Sequence, residues 1–284
     1  MKRVVYALLA VLILTTLRAV PVWAEDAAAP SEAPKSDEQA VNGSVGVNIV
    51  NKHMLRGYEL SNGSLVVEPI VTVSYVGFWV TFLGHIDSNE QPTQNFVPAV
   101  SGRSNFNETD MILGYSRSFG IFTITPGYAY YANRYANETQ EVFLTGALNV
   151  ISKPTLTVYR DISHYPGTYI NLAVSHAFAL PVVKGATFDV GASAGYEAGS
   201  SKYWRTYQSS TGAWTGPKYS AFHDGMLNAG VTLPVGKHFA FKPMVQYWFP
   251  LSNNAGRTID GHSYNPNGHL DQTIVYGINA SFNF

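Results

Sequence analysis

The sequence predicts an all-β fold, namely a transmembrane antiparallel up-and-down β-barrel of about 12 strands. Three observations predict it. Strand-like alternation runs from residue 43 to the end, charged residues are few, and all the long connections fall at one predicted end of the barrel. Charged residues make up 13% of the chain, and aromatic residues also make up 13%. Soluble domains carry about 25% charged residues. A chain with so little charge suits a barrel whose outer face contacts lipid.

The amino-terminal segment has the features of a secretory signal. Lys2 and Arg3 precede an almost wholly apolar run over 4–17, and small residues occupy the cleavage positions before Ala24. We therefore predict a signal peptide over 1–24. Residues 25–42 are rich in Ala, Pro and acidic residues, which predicts a flexible periplasmic lead-in. The barrel is predicted to span 43–284, with no later run apolar and long enough for a transmembrane helix.

Runs with a period of two residues predict the individual strands. The expected spans are 43–60, 64–76, 78–88, 106–118, 121–133, 138–150, 154–163, 168–180, 186–199, 218–233, 238–251 and 271–284. The last strand is the clearest, because Ile274, Tyr276 and Ile278 fall on one face while Gly277 and Asn279 fall on the other. The fourth and seventh runs alternate less cleanly, which indicates that bulges shift their phase.

The connections between these strands differ in length at the two predicted ends of the barrel. Short turns are expected at 76–77, 119–120, 152–153, 181–185 and 234–237. The long connections, 88–105, 200–217 and 252–270, all fall at the other end, together with short ones near 61–63, 134–137 and 165–167. Outer-membrane barrels have short periplasmic turns and longer outside loops. This difference in loop length between the two ends therefore predicts an outer-membrane location with a periplasmic amino terminus.

The predicted strand phase also assigns side chains to the lumen. The pore-lining candidates are Arg56, Glu68, Asp87, Asp189, Glu197, Asp224, Lys242 and Gln246. Carboxylates outnumber bases on this face, and an acidic low-dielectric wall attracts cations. The alternative is a plugged core in which these acids pair with the few bases and with Tyr and Asn. A barrel of about 12 strands lies between filled and open sizes, so both interpretations stay open.

Basic residues lie in or beside the predicted outer loops: Arg103, Arg134, Lys202, Arg205, Lys218 and Arg257. Such residues could bind the phosphates of outer-membrane lipid, including lipopolysaccharide, by charge-assisted hydrogen bonds. Solvated loop charges are the simpler interpretation. The loop aromatics Tyr203, Trp204, Tyr207 and Trp214 favour an interfacial belt over a carbohydrate-stacking platform.

The sequence gives little support for catalysis or bound cofactors. Ser163–His164 and Ser175–His176 are adjacent pairs, and neighbours on a strand point to opposite faces. No GxSxG nucleophile elbow at a strand-to-helix turn is predicted. The absence of cysteine excludes disulfides and thiolate metal sites. The eight histidines are scattered, and a weak surface site of His262, His269, Asp260 and Asp271 is less favoured than a solvated loop. We predict no enzyme activity, no metal, no cofactor and no nucleic-acid partner.

Two early segments resemble a known family. The run Asn51-Lys-His-Met-Leu-Arg-Gly-Tyr-Glu-Leu-Ser61, with its Arg56–Gly57 pair, is followed by Gly77-Phe-Trp-Val-Thr-Phe-Leu-Gly-His-Ile-Asp87. Together they resemble the start of the TorF-type porin family. The resemblance implies a barrel pore and names no substrate.

The expected function is passive diffusion of small hydrophilic solutes, with a preference for cations, through a narrow lumen in the bacterial outer membrane. Two alternatives remain. One is a non-conducting barrel whose outer loops bind a lipid or surface ligand, and the other is an outer-membrane lipid hydrolase. The sequence leaves the oligomeric state open.

Overall fold

The computed structural model describes residues 40–61, 63–91, 103–134, 137–181, 183–200, 205–208, 213–258 and 272–284. The predicted signal peptide, nearly all of the predicted lead-in and much of the three long loops lie outside these residues. Within the described part, no helix has the length and apolar character needed to cross a membrane.

Almost every described element is a β-strand. The strands are β1 (Asn42–Val50), β2 (Met54–Leu55), β3 (Tyr58–Glu59), β4 (Val66–Tyr75), β5 (Phe78–Asp87), β6 (Asn105–Tyr115), β7 (Arg117–Phe119), β8 (Phe122–Asn133), β9 (Thr139–Leu148), β10 (Thr155–Asp161), β11 (Gly167–Ala179), β12 (Thr187–Gly199), β13 (Arg205–Gln208), β14 (Ala213–Lys218), β15 (Ser220–Val235), β16 (Phe239–Pro250) and β17 (Thr273–Asn283). One short helix, α1 (Asn253–Thr258), follows β16.

The long strands form one closed antiparallel barrel. Its order is β1-β4-β5-β6-β8-β9-β10-β11-β12-β15-β16-β17, with β7 continuing β6 along β8. Closure comes from β1 pairing with β17, from Ser44 opposite Asn283 to Val50 opposite Gly277. The predicted barrel of 12 strands is confirmed. Two small ribbons, β2–β3 and β13–β14, lie outside this sheet.

The barrel is apolar outside and largely polar inside. On β9, Val142 and Leu144 are exposed, whereas Glu141, Phe143 and Thr145 are buried. Exposed Val, Leu, Ile and Phe side chains recur on the barrel strands from β1 to β17. Surface of this kind is compatible with lipid and not with water, because monomeric soluble proteins rarely expose large contiguous apolar patches.

The short connections fall where the sequence predicts them, all at the end that holds both chain ends of the barrel. The β4–β5 turn is the tightest, with Val76 at φ 47° and Gly77 at φ 83°. Positive φ at both central positions is the backbone of a type I′ hairpin turn, whose twist matches the flanking strands.

One expectation was wrong. The predicted first strand, 43–60, ends at Val50, and the chain then folds into the barrel. The short outer loop near 61–63 is therefore part of a longer connection that begins at Asn51. A short helix, α1, forms within the predicted long loop at 252–270. Residues 51–60 contain a separate small hairpin and are not part of the barrel wall.

Candidate functional site in the barrel lumen

The connection after β1 forms a hairpin inside the barrel. We call residues 51–61 the inward segment. Its strands β2 and β3 pair Met54 with Glu59 and Leu55 with Tyr58. Arg56 and Gly57 form the turn with φ values of 49° and 79°, which is again the type I′ pattern. The base of the segment is closed by two bonds: Leu60 donates its backbone N–H to the His53 carbonyl, and the His53 N–H donates to Ser61 Oγ.

The tip of the inward segment contacts the far wall of the barrel. Arg56 donates from Nη1 and Nη2 to the two carboxylate oxygens of Glu141 on β9, at 2.8 and 2.6 Å. Its guanidinium also lies 4.7 Å from the ring centroid of Tyr159 and 4.5 Å from that of Tyr169. In the ring of 12 strands, Tyr159 is on β10, which is six strands from β1 in either direction. The inward segment therefore crosses the lumen.

Two apolar clusters hold the sides of the inward segment. Near its base, Met54 packs with Val50, Val66, Trp248 and Val275 of the barrel wall. Nearer the outer end, a second cluster brings segment residues together with the outer loops and α1. Its buried members are Tyr58, Leu60, Tyr165, Tyr219, Ala221 and Ala255. Because these side chains are buried between the hairpin and the wall, the hydrophobic effect stabilises the inward position.

A group of histidines and carboxylates lies on the near wall, beside the base of the inward segment. Glu68 Oε1 lies 3.5 Å from Nδ1 of His53 and 3.5 Å from Nδ1 of His85. Nε2 of His85 lies 3.1 Å from Asp110 Oδ2, and Nε2 of His53 lies 3.7 Å from Glu108 Oε2. All five side chains are buried.

A bulge places Glu108 in this group. The pairing of β5 with β6 shifts between His85 and Ile86, so that His85 faces Glu108 and Ile86 faces Phe106. Asn107 is the extra residue, and it turns Phe106 outward and Glu108 inward. This is the irregularity that the sequence indicated for its fourth strand, since a bulge reverses the alternation of every residue beyond it.

A third polar group lies near the outer mouth. Tyr169 Oη donates to the Asp224 carboxylate at 3.0 and 3.1 Å. Tyr219 Oη lies 2.6 Å from His223 Nδ1. Burial raises the pKa of Tyr219 above its ordinary value, and the negative charges of Glu197 and Asp224 act in the same direction. Tyr219 therefore stays protonated, and its hydroxyl can donate to Nδ1 of His223.

At the turn end, Lys242 and Asp189 form a second buried ion pair. Lys242 Nζ lies 2.9 Å from Asp189 Oδ2, and the same carboxylate accepts from the hydroxyls of Thr187 and Thr232. Gln246, four residues further along β16, accepts the indole N–H of Trp248. These bonds satisfy the charges inside the barrel and fix their positions.

All eight pore-lining candidates face the interior. Their exposed fractions run from 0% at Asp224 to 8% at Gln246. They are packed against one another and against the inward segment, so the structure places them inside the barrel without placing them along an open channel. A cavity of about 30 Å³ remains beside the Arg56–Glu141 pair, lined also by Leu55, Tyr131 and Tyr165.

The sequence interpretation missed the contributions of His53 and Glu108. His53 was assigned to the first barrel strand, and Glu108 was left off the lumenal face. Strand phase predicts Glu68 and His85 correctly, but it cannot show that a separate hairpin brings His53 against them. The Arg56–Gly57 pair was the available signal, because an Xaa-Gly pair between short alternating runs is typical of a tight hairpin.

The hydrolase hypothesis gains no support from the adjacent Ser–His pairs. Ser163 Oγ accepts from the Gln140 backbone N–H, and His164 Nδ1 contacts the Glu138 carbonyl. His176 Nδ1 contacts the Ile151 carbonyl, on the outer surface of the barrel. The partners of both histidines at these distances are backbone carbonyls, and Ser163 Oγ also donates to Asp161 Oδ1 at 3.3 Å, which are usual structural roles of such side chains.

Several predicted loop features lie outside the described residues or their described side chains. The loop histidine and aspartate group at 260–271 is among them, and so are the loop aromatics at 203–214. Of the basic loop residues, Arg134 contacts Asn105 Oδ1 and Lys218 donates to the Ser200 carbonyl. Both side chains are thus bound within the loops themselves.

Comparison with solved structures finds outer-membrane barrels. A KdgM porin aligns with a TM-score of 0.50 at 12% identity, over 85% of this chain and 99% of that one. A NanC porin aligns with a TM-score of 0.47 at 9% identity, over 86% and 100%. An outer-membrane channel from Pseudomonas putida F1 gives a TM-score of 0.47 at 10% identity, over 90% and 100%. No family model and no curated protein matches the sequence. The KdgM likeness supports the fold alone.

Proposed function

We propose that this protein is an outer-membrane channel for passive diffusion of small hydrophilic solutes, with a lumen constricted by the inward segment. One observation carries the proposal: a hairpin of the chain crosses a closed, polar-lined barrel and is held on the opposite wall by the Arg56–Glu141 pair. A constriction inside a barrel selects solutes by size and by charge.

The apolar outer surface and polar interior support the membrane part of the proposal. The segment 1–24 would export the chain, and 25–42 would remain in the periplasm as a lead-in to β1. Membership of the TorF-type porin family belongs to this proposal as well. It rests on the Arg56–Gly57 pair and the hairpin that begins at Gly77, both of which lie at turns of the described structure.

The interior charge favours cations. The buried acidic side chains of the described residues are Glu68, Asp87, Glu90, Glu108, Asp110, Glu141, Asp161, Asp189, Glu197 and Asp224. Against them stand two buried Lys or Arg side chains in the described part of the chain, Arg56 and Lys242. Unequal charge along a low-dielectric wall concentrates the opposite ion and raises its flux. Small cations and neutral hydrophilic solutes are therefore the expected cargo.

A second candidate function follows from the dense interior. Tyr159, Tyr169 and Tyr58 are almost fully buried, and the cavity beside Arg56 has room for about one water molecule. A barrel that stays packed in this way would not conduct. Its function would then be to present the outer loops to a lipid or surface ligand.

Planar-bilayer conductance distinguishes the two functions. Wild-type protein would be compared with a variant in which residues 53–60 are replaced by a short Gly-Ser linker. We expect small cation-selective steps from the wild type and conductance several times larger from the variant, because the linker leaves the lumen unobstructed. An exposed-site variant, Arg117→Gln, serves as the control and should conduct like the wild type.

Each result decides between the candidates. Folding is verified first by the heat-dependent shift of barrel mobility in gel electrophoresis. A folded linker variant that passes no current would contradict the channel and favour the ligand-presenting barrel. Anion-selective steps would keep the channel and contradict the role of the lumenal carboxylates.

A further inference from the structure

The near wall of the lumen brings together two imidazoles and a carboxylate in the manner of a metal site. His53 is in the inward segment, Glu68 is on β4 and His85 is on β5. All three are buried, and the ligand atoms that they offer lie within 4.8 Å of one another. The Nδ1 atoms of the two histidines are each 3.5 Å from the same oxygen, Glu68 Oε1.

These separations match the bond lengths of a small tetrahedral cation. Metal–nitrogen and metal–oxygen bonds of about 2.0–2.1 Å place neighbouring ligand atoms about 3.3 Å apart at tetrahedral angles. The two observed distances of 3.5 Å from Glu68 Oε1 to the Nδ1 atoms are close to this value.

The second polar atom of each of these three side chains, which is Nε2 of either histidine and Oε2 of Glu68, has a polar neighbour of its own. His85 Nε2 lies 3.1 Å from Asp110 Oδ2. His53 Nε2 lies 3.7 Å from Glu108 Oε2. Metal-binding histidines usually direct their second nitrogen to a carboxylate in this way, which fixes the tautomer and the ring orientation.

The Glu68 carboxylate is likewise held in place by a hydrogen bond to its second oxygen. Its Oε2 accepts a hydrogen bond from Asn48 Nδ2 at 3.0 Å, and Asn48 Oδ1 accepts from Asn279 Nδ2 at 2.7 Å. This chain of bonds crosses β17, β1 and β4. It holds one carboxylate oxygen in place and leaves Oε1 directed at the two imidazoles.

Without a metal, all four ring nitrogens could donate to carboxylates only if both rings were charged. Each imidazole has a carboxylate near both of its nitrogens, so donation to both requires two imidazolium ions whose ring centroids are 3.8 Å apart. Like charges at that separation repel strongly in a low-dielectric interior. A bound cation removes this requirement, because each neutral ring then coordinates through Nδ1 and donates from Nε2.

We propose that His53, Glu68 and His85 bind one divalent transition-metal ion, with Zn²⁺ as the best match. Two imidazoles and a carboxylate suit Zn²⁺, whereas Ca²⁺ and Mg²⁺ favour oxygen ligands alone. A water would complete the tetrahedral set, as at zinc sites with three protein ligands. The ion would tie the inward segment to the barrel wall and hold the constriction in place.

Metal binding is measured on untagged, chelator-treated protein refolded in detergent. Co²⁺ serves as a spectroscopic probe for the visible absorption of a tetrahedral site, and Zn²⁺ binding is followed by titration calorimetry. We expect one ion per barrel. His53→Gln and His85→Gln should each weaken binding by about 100-fold or more, and Asp110→Asn by about 10–100-fold through the loss of its orienting contact.

His164→Gln is the matched control, because His164 lies in an exposed loop and contacts the Glu138 carbonyl. It should bind like the wild type. Failure of the folded wild type to bind either ion would overturn the proposal, and so would binding that survives both His53→Gln and His85→Gln. The wild-type result does not depend on any variant folding, and binding is independent of conductance, so the metal site can fail or stand apart from the channel.

Discussion

Arg56 shows how a single side chain determines the state of the lumen. Its guanidinium is bound in a bidentate manner by Glu141 and lies against the faces of Tyr159 and Tyr169. A desolvated cation–π contact contributes about 2 kcal/mol. Removing one partner from a buried ion pair costs about 3–5 kcal/mol, since the remaining charge loses its compensation.

Arg56→Gln and Glu141→Gln should therefore each lower the free energy of unfolding by about 3–5 kcal/mol. The double variant should lose clearly less than the sum, because it leaves no uncompensated charge. Urea unfolding in lipid vesicles, followed by tryptophan fluorescence, measures all three. Arg160→Gln is the control, since Arg160 is exposed and contacts Thr168 on the outer face. Strict additivity would contradict the pairing.

Among the elements, the seam between β1 and β17 closes the barrel. Gly43 and Phe284 exchange two backbone hydrogen bonds of 2.9 Å, and the Asn283 N–H donates to the His238 carbonyl at 2.8 Å. The Phe284 ring lies over Gly43, so close that a Cβ at that position would collide with it. Phe284 is thus hydrogen-bonded to β1 at the seam.

Deleting Asn283 and Phe284 should lower the free energy of unfolding by about 2–4 kcal/mol, because three backbone hydrogen bonds of about 1 kcal/mol each are lost along with some packing. Refolding yield into vesicles should fall in parallel. Phe284→Leu keeps the backbone bonds and should change stability by less than about 1 kcal/mol. Equal effects from the deletion and from Phe284→Leu would show that the side chain and not the seam is responsible.

At the scale of the whole molecule, the barrel inverts the usual distribution of polarity. Leu144 and its outward neighbours are exposed, whereas ionic groups such as Glu141 are buried. That arrangement is stable only where the outer surface contacts hydrocarbon.

Leu144→Arg should therefore destabilise the barrel in a bilayer by about 2–4 kcal/mol, since Leu144 lies midway along β9 on the outer face. Ile151→Arg is the matched control, because Ile151 is equally apolar and exposed but lies in the β9–β10 turn. There the cost should be about 0–1 kcal/mol. Unfolding in vesicles measures both variants, and equal costs would contradict the proposed depth of β9 in the membrane.

The sequence alone determined the number of strands, their approximate bounds and the side of each turn. Those features depend on a two-residue period and on turn residues, which are local properties. It also determined that Glu68, Asp87 and Asp189 face inward, because strand phase fixes the face once the outside is apolar.

Only the tertiary structure decided what fills the lumen. The Arg56–Gly57 pair indicates a tight hairpin within 51–60, but nothing local shows that this hairpin lies inside the barrel. The contact of Arg56 with Glu141, 85 residues away, and the meeting of His53 with Glu68 and His85 exist only because ring closure brings opposite walls within reach of one short segment. Such contacts depend on the arrangement of all 12 strands, which no local pattern encodes.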